Sequence, residues 1–136
     1  MNTIIDTGPL IAYFDRNDYW HEWTSEQFNR LTPPLFTCEA VITEVLFLLL
    51  RQNLNPDPIF KIENRGFLVI QSVFTKTKDQ RNIQKIITNY HDLPASFADA
   101  CLVAMHMDDP NSRIFTLDHH FNIYRAGRKK IPVIMP

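Results

Sequence analysis

Four acidic side chains stand where a carboxylate is costly, and their spacing points to shared work. Asp6 ends the strand-like run Thr3-Ile4-Ile5 and is followed at once by Thr7-Gly8-Pro9. Asp118 ends a second such run, Ile114-Phe115-Thr116-Leu117. A strand covered on both faces reads as a continuous apolar run, and ligands of open α/β sheets bind outside the carboxyl ends of such strands. Glu44 lies in EAVITEVLFLLL, where every residue from Ala40 to Leu50 except Thr43 and Glu44 is apolar. That helix is expected to be buried on most sides. A charge in it is costly unless paired, hydrogen-bonded or bound to a cation. Asp99 lies in LPASFADACLVAMHM, at the mouth of a helix whose next residues, Ala100 to Ala104, are small and apolar.

Each acid also has a purely structural reading. Asp6 suits the N-cap of a helix with Pro9 near its first position. Asp99, three residues after Ser96, completes a Ser-x-x-acid capping pattern. Glu44, with Thr43 and Arg51, could mark the one wet stripe of its helix. Asp92, just before Pro94, reads as a turn or cap residue. Taken together, two strands of one sheet ending in Asp and two helices supplying Glu44 and Asp99 can set four carboxylates at a single sheet edge. Like charges do not gather in a low-dielectric cleft without compensation. The usual compensation is a hard divalent cation, and oxygen-only ligation suits Mg²⁺ or Mn²⁺ rather than zinc. Thr116, two residues before Asp118 and on the same side of the strand, could orient that carboxylate or a water.

The elements that must position these residues alternate. Strands are expected at Thr3–Asp6, Leu35–Cys38, Phe67–Gln71, Arg113–Leu117 and Val133–Met135. Helices are expected near Pro9–Phe14, His21–Leu31, Glu39–Gln52, Asp57–Asn64, Lys76–His91 and Ala95–Met107. This alternation predicts an α/β fold: a central parallel sheet of about five short strands with helices on both faces. No internal repeat or linker divides the chain, so residues 1–136 are read as a single domain.

Other chemistries find no support. Three glycines leave no room for a glycine-rich phosphate loop, and neither G-K-[ST] nor G-x-G-x-x-G occurs. No Ser-His-Asp or Cys-His arrangement is legible. His119 and His120 follow Asp118 and could line a cleft, whereas His21, His91 and His106 are expected at the surface or at helix ends. Trp20 and Trp23 read as core or interface residues. Cys38 and Cys101 lack metal-like spacing and read as small core hydrophobes in a reducing compartment. The run Val45–Leu50 is too short to span a bilayer, and the chain does not open on a basic segment followed by an apolar one. A cytoplasmic location without membrane contact is expected.

The net charge of −1 hides an asymmetry. Residues 1–63 carry four basic and nine acidic groups, and residues 64–136 carry ten basic and six acidic ones. The densest basic cluster, Arg125, Arg128, Lys129 and Lys130, could hold phosphates by charge or form a solvated turn.

The stretches IIDTGPLIAYFDRND, VITEVLFLLL, SFADACLVA and IFTLDHHF, in that order and spacing, resemble the PIN-domain family, and within it the VapC-type toxins of toxin–antitoxin pairs. The resemblance runs through nearly the whole chain. It implies a three-layer α/β/α domain carrying a metal-dependent ribonuclease centre. Asp6, Glu44, Asp99 and Asp118 fall on the family's four acidic positions and Thr116 on its usual Thr/Ser before the last acid. The implied site holds Mg²⁺ or Mn²⁺ on Asp6 and Asp99, with Glu44 and Asp118 completing the shell directly or through water. An RNA substrate, a cognate antitoxin and a homodimer are implied by the same likeness. The alternative is a catalytically inactive PIN-like module that binds RNA or protein. A receiver-type α/β domain is disfavoured, because it needs paired acids around the first strand and a lysine ending a late one.

Overall fold

The apolar runs form a sheet because each can bury both of its faces. In a computed structural model describing residues 1–136, the strands are Asn2–Ile5 (β1), Leu35–Cys38 (β2), Leu68–Gln71 (β3), Ser112–Phe115 (β4), Arg125–Ala126 (β5), Lys129–Lys130 (β6) and Val133–Ile134 (β7). Five of them make one sheet of order β3-β2-β1-β4-β7, parallel throughout. Six helices flank it: Thr7–Phe14 (α1), His21–Arg30 (α2), Glu39–Arg51 (α3), Asp57–Asn64 (α4), Thr77–Asn89 (α5) and Phe97–Asp108 (α6). The architecture is the expected α/β/α arrangement.

The topology decides where a site can form. From β1 the chain steps outward to β2 and β3, then returns through α5 and α6 to lay β4 on the other side of β1. The strand order therefore reverses between β1 and β4, which is the switch point where open α/β sheets leave a crevice. Ile5 lies opposite Phe115 at the carboxyl ends of these two strands. Both are fully buried, each contributing roughly 1.5–3 kcal/mol of apolar burial. The pairing outlasts the regular ladder, because the Asp6 amide donates to the Phe115 carbonyl at 2.9 Å. Gly8 then lets the first turn of α1 approach the end of the fourth strand, since a Cβ there would stand 3.3 Å from Cβ of Leu117.

The small residues of α6 allow close packing; Ala98 and every residue from Ala100 to His106 are buried. Cys38 and Cys101 are buried free thiols, as expected. One expectation changes and two become more specific. First, α3 is not buried on most sides: Val41, Ile42, Val45 and Leu49 face the core, while Phe47 and Leu50 are 62% and 59% exposed. Second, His106 is at a helix end but not at the surface. Its Nδ1 is 2.8 Å from Ser112 Oγ, and burial lowers its pKa. Third, the basic cluster forms an antiparallel hairpin of β5 and β6. No helix is long and apolar enough to cross a membrane.

Candidate active site

Local sequence places each acid at an element boundary. Asp6 leaves β1 as the N-cap of α1. Glu44 is on the second turn of α3, half-buried. Asp99 is in the first turn of α6, and Asp118 caps the 3-10 turn His119–Asn122. All four line one open cleft of about 440 Å³ at the sheet's carboxyl edge, with Thr7, Gly8 and Leu117. The structure thus brings together the four carboxylates that the sequence singles out.

The structural and chemical readings of these acids turn out to be compatible. Asp6 Oδ1 accepts from the Thr7 amide at 2.7 Å, and Oδ2 accepts from the Thr116 hydroxyl at 2.7 Å. Burial dominates these two bonds and pushes its pKa up to about 7, with Asp99 and Glu44 adding repulsion. For Asp99, Ser96 Oγ accepts from its amide at 3.0 Å, the cap expected from Ser-x-x-acid. Its carboxylate meanwhile accepts from the Tyr124 hydroxyl at 2.8 Å. Burial again raises the pKa, opposed by the Tyr124 bond and assisted by Asp118. Asp118 Oδ1 accepts from the His120 amide at 2.9 Å.

Thr116 serves a different acid from the one expected. Its hydroxyl donates to Asp6 rather than to Asp118, and accepts from the Asp118 amide at 3.0 Å. One buried hydroxyl therefore ties together the two strand ends. Neither His119 nor His120 lines the cleft, although His120 Nδ1 stands 3.5 Å from Asp118 Oδ1. Asp92 lies in the turn before α6, as expected. Trp23 packs its ring 5.8 Å from that of Phe115, under the strand end.

Two residues escaped the sequence reading. Thr7 donates its hydroxyl to Glu44 Oε2 at 2.8 Å, joining α1 to α3. Tyr124 is fully buried and reaches Asp99 from outside any recognised motif. Its phenol is pushed up in pKa by burial and by Asp99, so it stays a donor. From Tyr124 the chain runs directly into the basic hairpin. There Arg125 Nη1 donates to the carbonyls of Asn122, Ile123 and Tyr124, leaving Arg128, Lys129 and Lys130 exposed.

The donor set is carboxylate oxygen alone, which fits a hard divalent cation. No three His, Cys, Asp or Glu side chains are grouped closely enough to enclose an ion as they stand. That does not conflict with Mg²⁺, which keeps several waters and is usually bound by one or two carboxylates. Burial makes both Asp6 and Asp99 harder to ionise without a cation beside them.

The sequence profile described as the PIN domain matches residues 3–127. The crystal structure of Mycobacterium tuberculosis VapC20, a sarcin–ricin loop cleaving toxin, is similar with a TM-score of 0.76 and 17% sequence identity, covering 86% of this chain and 90% of VapC20. At that identity the likeness is one of fold. No curated protein matches the chain.

Proposed function

The chain belongs to the PIN-domain family, and on that premise we propose that it is a Mg²⁺- or Mn²⁺-dependent ribonuclease, the toxin of a toxin–antitoxin pair. The observation that carries this reading is the convergence of Asp6, Glu44, Asp99 and Asp118 on one cleft at the switch point. The likeness to VapC20, itself an RNA-cleaving toxin, supports the choice of RNA.

In this reading Asp6 and Asp99 would hold the cation, with Glu44 and Asp118 completing its shell directly or through water. When bound, the ion supplies Lewis-acid activation of a water and neutralises charge on the scissile phosphate. The protein's own groups do the positioning. Thr7 and Thr116 fix the Asp6 carboxylate from two sides, Tyr124 fixes Asp99, and the Thr7 hydroxyl turns Glu44 toward the cleft. Arg128, Lys129 and Lys130 offer charge to flanking phosphates without reading bases. A homodimer and a cognate antitoxin belong to the same proposal. The exposed Phe47 and Leu50, one turn apart on α3, support a surface that another chain covers.

The test is cleavage of a panel of structured and single-stranded RNAs by purified protein with Mg²⁺, Mn²⁺ or EDTA, beside Asp99→Asn. Metal-dependent cutting that vanishes in the variant is expected. A folded protein that neither cuts nor binds Mn²⁺ would leave the non-catalytic binding module as the better reading.

A further inference from the structure

The first turn of α6, which supplies Asp99 to the acidic cleft, also joins α5 in a surface of different chemistry. Phe74 and Phe97 are 51% and 46% exposed. Their rings meet edge to face, with centroids 5.4 Å apart and planes at 78°. Gln80 Nε2 donates to the Phe74 carbonyl at 3.1 Å and ties that residue to α5. Phe97 opens α6 and shares its first turn with Asp99. Beside the rings runs a groove of about 510 Å³ completed by Gln80, Arg81, Gln84 and Ile87 of α5.

Arg81 is the one charged residue that lines this groove. Lys76, Lys78, Arg81 and Lys85 are all exposed, and the segment's single acid, Asp79, is buried. Lys78 stands 3.6 Å from Asp108 and Lys76 lines a separate pocket with Asp79, Asp108 and Asp109, which leaves Arg81, with Lys85 one turn further along α5, to set the local field. A second copy of this chain is a poor occupant, because a two-fold interface apposes the same patch on both subunits and would set these cations against themselves. A polyanion with exposed ring faces is a good one. Aromatic side chains stack unpaired bases, and cations beside them track the backbone.

We infer that Phe74 and Phe97 form a stacking subsite for an unpaired nucleobase close to the phosphate held at the acidic cleft, with Arg81 on an adjoining phosphate. This rests on the ribonuclease reading and narrows it: the substrate is cut where a base is free to leave its stack. Every base has a π-face, so the subsite selects unpaired over paired nucleotides rather than one base over another.

The experiment uses a short single-stranded RNA carrying one 2-aminopurine, whose fluorescence is quenched on stacking, and a duplex of the same length. Binding is read in EDTA, where the ribonuclease reading allows no cutting. Wild type should quench the probe and bind it more tightly than the duplex. Phe74→Leu and Phe97→Leu keep an apolar side chain but no ring. Each should lose quenching and bind the single strand roughly 5- to 150-fold more weakly, with duplex binding unchanged. A double variant that quenches and binds like wild type would overturn the subsite. So would a wild-type oligomer that the double variant dissolves in sedimentation, which would make the patch a self-interface. Metal-dependent cleavage by the double variant with unaltered KM would sink the subsite and leave the nuclease standing. Quenching without any cleavage would do the reverse.

Discussion

The Thr116 hydroxyl bridges two strand ends: it donates to Asp6 Oδ2 at 2.7 Å and accepts from the Asp118 amide at 3.0 Å. Thr116 is fully buried, so no water can replace either bond. Thr116→Val keeps the shape, removes the donor to Asp6 and orphans the Asp118 amide. Hydrogen bonds to charged groups contribute roughly 1.5–3 kcal/mol, and a loss of that order is expected in denaturant unfolding at pH 8. Thr116→Ser should recover most of it. If Val and Ser behave alike, the hydroxyl matters only as volume.

Asp6 is at once a helix cap and the most heavily buried acid of the cleft, and Asp6→Asn separates the two roles. Asn caps helices about as well as Asp but carries no charge. The folded-state pKa of Asp6 is about 7, against an ordinary 3.8. A raised carboxyl pKa means that the folded protein binds the proton more tightly than the unfolded chain. The contribution of Asp6 to metal-free stability should therefore be greatest below pH 4, fall as pH rises toward 7, and level off above it. Three pH units correspond to roughly 4 kcal/mol at most. The Asn variant should lose this part of the slope and be more stable than wild type at pH 8 in EDTA. Equal or lower stability there would mean that the charged carboxylate is tolerated in the fold without a cation.

Much of the architecture was legible because short apolar runs between amphipathic ones have few alternatives. The β2 strand begins and ends where Leu35 and Cys38 predicted, and α4 runs from Asp57 to Asn64 as expected. The four acids were legible because each broke a local pattern. The face of α3 was not: Phe47 and Leu50 look like core in a one-dimensional pattern and differ only in what the fold leaves uncovered. The two-residue strands β5 and β6 are too short to show any periodicity. Tyr124 and Thr7 were invisible for another reason. Their roles depend on partners 25 and 37 residues away, and no local rule signals such a pairing.

Cation binding should be linked to the proton on Asp6. Metal ligands must be deprotonated to bind, so Mn²⁺ affinity should rise about tenfold per pH unit below pH 7 and flatten above it. Thermal stabilisation by Mn²⁺ follows the same course, reaching about 2.7 kcal/mol when the ion is at a hundred times its Kd. Calorimetric titration between pH 5.5 and 8.5 checks this. An affinity that does not move with pH would remove Asp6 from the set of ligands.

Tyr124 offers the sharpest separation of positioning from packing. Its ring is enclosed by Phe121 and Tyr90, with centroids 5.2 Å and 5.1 Å away, and Tyr124→Phe leaves those contacts in place. Only the donor to Asp99 is lost. That donor lowers the Asp99 pKa against the effect of burial, so its removal must push the pKa further up. Both metal affinity and RNA cleavage should therefore drop relative to wild type, by a factor that grows as pH falls. A purely structural tyrosine would instead lower the melting temperature and leave the pH profile of cleavage unmoved. The ratio of variant to wild-type kcat/KM at pH 6 and pH 8 therefore decides what the phenol does. If the ratio is equal at both pH values, Tyr124 supports the fold and has no part in holding Asp99 ready.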